Sequence, residues 1–109
     1  MLFRSNIKLV KCGGLSEGLL MARTARRLGL GVMLGCYSDG GLLNSGAAQL
    51  LPLVRWPDLD SHLNLLDDPF EGPERRGDVL RPAARPGLGA RSVGEPEALT
   101  PLATDREDP

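Results

Sequence analysis

The 109-residue sequence predicts an α/β fold built on a parallel sheet, from two observations. Short apolar runs suited to strands alternate with stretches of helical spacing, and strand, helix, strand, helix, strand is the order of a parallel βαβ layer. Connections of this kind are right-handed. Three parallel strands with two helices leave two bare sheet edges and one covered layer, so the fold reads as incomplete as given.

The first strand is "NIKLVK" at 6–11, and "CGG" turns the chain out of it. A helix follows, because Leu15, Leu19, Ala22, Ala25 and Leu28 recur on one face while Glu17, Arg23, Arg26 and Arg27 fall mostly elsewhere. Ser16 is the expected N-cap and Gly29 the expected stop, and the arginines suit the negative end of the helix dipole. "GVMLGCY" is a continuous apolar run of the type found in parallel strands covered on both faces. A shorter helix is expected at 42–51 and a third strand at "LVRWPDLD", where Pro57 removes a backbone donor.

Charge and proline divide the chain. Residues 1–56 hold seven Lys/Arg against two acids, whereas 57–109 hold six against twelve and eight of the nine prolines. The second part is therefore expected as loops with short extended pieces to residue 91, and a disordered tail over 92–109. A net charge of −1 and 4% aromatic residues argue against nucleic acid, and the apolar stretches are too short for a membrane span. With no secretory leader pattern at the start, the expected location is cytoplasmic. Cys12 and Cys36 lack disulfide or metal-ligand spacing and read as small, half-buried thiols.

Functional groups of parallel α/β folds gather at the C-terminal ends of the strands. Lys8, Asp39, Asp58 and Asp60 stand at such ends. Two same-facing carboxylates at 58 and 60 hold an ammonium group or a metal ion, although Asp-x-Asp is also a common turn with an Asx cap. Lys8 stands out because the chain holds eleven arginines and only two lysines, and lysine, unlike arginine, can give up its proton for acid/base work. A solvent-facing strand lysine is the alternative. Lys11, three residues on, points the other way in a regular strand and cannot flank the same substrate atom. His62 lacks a partner at ligand spacing and reads as a surface residue; Trp56 reads as packing, and Tyr37 as packing or the lining of a pocket mouth.

"NIKLVKCGGLSEGLLMARTARRLGLGVMLGC", "DLD", "LLDDPFEG" and "PGLG" together, over residues 5–89, resemble in order and spacing the C-terminal third of dipeptide epimerases. These are the L-Ala-D/L-Glu epimerase group of the enolase superfamily, mandelate racemase/muconate lactonizing enzyme type. The resemblance implies that the three strands are about the sixth to eighth of a (β/α)8-type barrel, residues 1–91 being the C-terminal portion of the barrel domain. It implies Lys8 as a catalytic lysine on one face of the substrate α-carbon. Asp58 and Asp60 become the pair that holds a dipeptide's ammonium, with Asp39, Cys36 and Tyr37 lining the substrate. The reaction implied is removal and return of an α-proton, with the enediolate stabilised by Mg²⁺ whose ligands, like the second lysine, are expected on upstream strands.

"YSDGG" departs from the apolar residue and Glu-Ser pair usual around the family's seventh strand, and puts Asp39 where the family has a glutamate. The expected partner is a small dipeptide, with activity requiring the upstream strands or self-association to close the sheet. A muconate cycloisomerase-like or N-acylamino acid racemase fragment is the alternative within the superfamily. A non-catalytic remnant or interaction module is the alternative outside it.

Overall fold

The computed structural model describes residues 4–94. Its centre is a three-stranded parallel sheet ordered β1 (Arg4–Ile7), β2 (Gly31–Leu34), β3 (Trp56–Pro57). Helix α2 (Leu15–Arg27) crosses between β1 and β2, and α3 (Gly41–Ala48), followed by a 3₁₀ turn at Leu51–Leu53, crosses between β2 and β3.

Alternation along the strands separates two faces. Ile7 pairs with Leu34 and Ser5 with Val32, and Ile7, Val32 and Leu34 are buried against the helical side, where Ala22 and Ala25 of α2 meet them. Asn6, Met33 and Trp56 share the opposite face, none of them fully buried. One layer is covered, as expected, and β1 and β3 form the edges of the sheet among the described residues.

The first strand begins earlier and ends sooner than the apolar pattern suggests. It stops at Ile7, and Leu9–Cys12 forms a single helical turn, α1, closed by the amide of Cys12 donating to the Lys8 carbonyl at 3.0 Å. Apolar Leu9 and Val10 fit a strand or a helical turn equally well, and the structure decides by burying Leu9 against the core. Gly13 and Gly14, at φ 97° and 110°, then turn the chain into α2. Gly14 occupies the N-cap position, so Ser16 lies within the helix and does not cap it. Leu28 is the C-terminal flanking residue and is 71% exposed, off the buried stripe to which its spacing assigned it.

The third strand shrinks to two residues for the reason its proline implies. The amide of Arg55 donates to Val32 O, but residue 57 has no N–H for the next rung, and Asp58 donates to Leu34 O instead, at 2.8 Å. Beyond it the chain makes a 3₁₀ turn at Ser61–Asn64 and short antiparallel pairs: β4 (Phe70–Glu71) with β7 (Arg91–Ser92), and β5 (Glu74–Arg76) with β6 (Val79–Arg81). Glu71 is fastened to Arg85 and Arg91 by ion pairs. Ser92 thus belongs to a strand, and the remainder of the expected tail, from 95, lies outside the described residues.

Leu34 is fully buried at the centre of the sheet. Leu34→Ala is expected to cost about 2–5 kcal/mol, read as a lowered denaturant midpoint at unchanged slope.

Candidate functional site

The C-terminal ends of the three parallel strands bring together Lys8, the loop Gly35–Asp39 and the segment Asp58–Asp60. Lys8 keeps extended dihedrals (φ −129°, ψ 122°) as the last residue before α1, so it continues the face of Asn6, away from α2. Its Nζ donates to the carbonyl of Cys36 at 2.8 Å. The side chain reaches that carbonyl by crossing Gly35: a Cβ there would come within 3.1 Å of Lys8 Cε and 3.0 Å of Asn6 Oδ1. The glycine clears the path for the lysine.

Lys11 does not point away from Lys8. Because α1 is helical, residues three apart share a face, and the two ammonium groups lie 4.4 Å (Lys8) and 4.7 Å (Lys11) from the centre of the Tyr37 ring. The Tyr37 phenol is held below its ordinary value of 10.0, chiefly by a hydrogen bond from Lys11 and by that lysine's charge.

Asp58 and Asp60 converge although the strand has ended. Leu59 between them is buried while both acids are exposed, so alternation persists into the turn, where Asp60 (φ −107°, ψ −5°) stands just before the 3₁₀ segment. One carboxylate oxygen from each and the Cys36 thiol lie within 4.8 Å of one another, with Cys36 Sγ 3.9 Å from Asp60 Oδ1. Two exposed carboxylates beside a thiol can accommodate a cation, and an ammonium group suits them. Mg²⁺ does not, since it takes six hard oxygen donors and a thiol is a soft ligand.

The carboxylate of Asp39 turns back to accept from the Tyr37 amide at 3.3 Å, closing the loop it stands in. The carbonyl of Asp39 accepts from Ser61 Oγ at 2.8 Å, and the fully buried amide of Asn44 reaches Ser61 Oγ (3.0 Å), His62 Nδ1 (3.0 Å) and the Asp39 carbonyl (3.4 Å). This network ties the Tyr37 loop, α3 and the turn after Asp60 into one unit. Sequence reading missed Asn44, whose only signal was a polar residue among the apolar and small residues of 41–50. It also placed His62 on the surface, whereas the ring is half-buried and packs against Gly72, where any Cβ would overlap it. An apolar hollow of about 500 Å³ between Leu9, Leu15, Leu43, Phe70 and Leu88 includes none of Lys8, Cys36, Asp58 or Asp60.

Desolvation holds His62 below its ordinary 6.5, against the smaller opposing charges of Asp68 and Asp60. Between the folded and unfolded values the unfolded chain binds more protons, so stability is greatest above 6.5 and declines as pH falls below it. His62→Gln is expected to flatten that decline in denaturation measured from pH 7.5 to 5. Gly35→Ala is expected to displace Lys8 from the Cys36 carbonyl, seen as loss of the lysine's distinct ε-methylene NMR signal.

No protein-family model matches the chain. It is 42% identical over 84 residues to a "Hydrophobic dipeptide epimerase" of Roseobacter litoralis, covering 77% of this chain and 24% of that protein. It superposes on the L-Ala-D/L-Glu epimerase from Bacillus subtilis with a TM-score of 0.75 and 28% identity, over 85% of this chain and 27% of that one. On the dipeptide epimerase from Methylococcus capsulatus complexed with Mg ion the values are 0.74 and 35%, over 84% and 28%. The chain therefore spans about a quarter of the length of these proteins. Over about four-fifths of its length the chain is thus similar in sequence to dipeptide epimerases, and it has the α/β fold of a segment from the C-terminal part of the barrel in mandelate racemase/muconate lactonizing-type proteins of the enolase superfamily.

Proposed function

We propose that this chain supplies one acid/base lysine and one ammonium clamp to a dipeptide epimerase, an isomerase that inverts an α-carbon by moving a proton. The observation that carries the reading is the placement of Lys8 and of the Asp58–Asp60 pair at the same ends of parallel strands on either side of β2. Asp58 and Asp60 bind the free ammonium of the dipeptide, beside the Cys36 thiol. That contact fixes one end of the substrate and sets its α-carbon at a defined distance from the neighbouring strands. Lys8 takes the α-proton on its face or returns one to it. The Cys36 carbonyl orients the lysine head group.

Mg²⁺, present in the Methylococcus structure, does not suit the Cys36, Asp58 and Asp60 set, and its carboxylate ligands are assigned outside the described residues. The side-chain preference stays at the level of a dipeptide with a free N-terminus. An N-acylated substrate, as for an acylamino acid racemase, has no ammonium for the Asp pair to hold.

In a complex of this chain with a separately supplied N-terminal part, Lys8→Ala is expected to reduce deuterium uptake at the dipeptide α-carbon about a hundred- to ten-thousand-fold. Uptake at the original rate removes Lys8 from the reaction. Asp58→Asn with Asp60→Asn is expected to raise KM for a free dipeptide about ten- to a hundred-fold, leaving N-acylated substrates unaffected. Faster turnover of the acylated substrate by the unmodified protein would reverse the assignment.

A further inference from the structure

We propose that Tyr37 is a positioning residue for Lys8, anchored in that role by Lys11. The inference rests on the acid/base reading of Lys8 and extends it to a chain of three side chains.

Lys8 has a long, flexible stem, and three contacts restrict it. Gly35 lets the stem lie flat across β2's end, the Cys36 carbonyl accepts from Nζ at 2.8 Å, and the Tyr37 ring stands 4.4 Å from the same nitrogen. The first two fix where the ammonium arrives. The ring closes one side of it and leaves the rest open to a substrate. Cation–ring contacts of this kind stabilise a definite placement even at exposed sites.

Tyr37 is itself 52% exposed, so core packing does not hold its ring in place. Two other contacts do. The Asp39 carboxylate accepts from its backbone amide, and the Lys11 ammonium, on the turn of α1, stands 4.7 Å from the centre of its ring. The lowering of the phenol's pKa is the electrostatic trace of that contact. Lys11 makes no ion pair with an acid among the described residues. Its charge is directed to Tyr37, and Tyr37 passes the constraint to Lys8. A helical turn directly after Lys8 is what permits this, because a continued strand sends Lys11 to the other face.

The chain contains only two lysines, so ε-¹³C-lysine labelling gives two methylene signals, one for each member of the cluster. In the 109-residue chain both are expected upfield of free lysine, through the ring current of Tyr37. Tyr37→Phe keeps the Lys8 shift and weakens that of Lys11, Tyr37→Leu abolishes both, and Lys11→Met reduces the Lys8 shift. Unshifted lysines in the unmodified chain, or shifts that survive Tyr37→Leu, overturn the proposal. In the assembled enzyme, Tyr37→Leu is expected to lower kcat for deuterium uptake about three- to tenfold with KM unchanged, and Tyr37→Phe to restore most of it. A KM effect alone, or equal losses in both variants, also overturns it. Normal ring shifts together with full activity in Lys8→Ala would refute the acid/base reading while leaving the contact between ring and lysine established.

Discussion

Ile7 and Leu34 stand side by side in β1 and β2, and the candidate site takes its geometry from that pairing. Both side chains are buried against the helical layer, which fixes the face to which every neighbouring residue points. The ladder continues one step further, with the amide of Gly35 donating to Ile7 O at 2.8 Å. Lys8, one residue beyond Ile7, therefore meets Cys36, two residues beyond Leu34. A slip of one residue would turn Lys8 into the helical layer and bury a charge there without a partner. On the other side of β2, Leu34 O receives the amide of Asp58, so the same residue also sets where the acid pair begins.

Pro57 gives the site its second constraint. Because it cannot donate, the next amide takes the rung, the strand ends, and the chain enters the turn that follows Asp60. The acids are thereby exposed on a turn while Leu59 anchors the segment from beneath. Asn44 then ties that turn to the loop carrying Tyr37, through Ser61, His62 and the carbonyl of Asp39. With the amide nitrogen so used, the Asn44 oxygen has no protein partner. Fastening the cationic and anionic sides of the site together takes precedence over full satisfaction of this one amide.

The outward features of the chain agree with a segment of a larger barrel. Helix α2 exposes Leu20 and Met21, α1 exposes Val10, and the sheet face bearing Asn6, Met33 and Trp56 has no covering layer among the described residues. Among the described residues no helix is long and apolar enough to cross a membrane. Neighbouring strands and helices, such as those of the proteins it superposes on, would cover surfaces of this kind.

By itself the sequence determined the alternation of strands and helices, the parallel order and the incomplete sheet, because hydrophobic periodicity and glycine turns are local signals. It also placed Lys8, Asp58 and Asp60 at strand ends, since scarce lysine and Asp-x-Asp spacing are visible without coordinates. Tertiary structure decided whether Leu9–Cys12 extends or coils, and with it the side on which Lys11 lies. Four apolar-rich residues fit either conformation, and only packing of Leu9 against the core selects the turn. The role of Asn44 and the burial of His62 depend on contacts between residues 17 and 18 positions apart, which no local pattern encodes. The carboxylate of Asp39 accepting from the Tyr37 amide is likewise set by the turn of the loop, which brings two residues only two positions apart within reach.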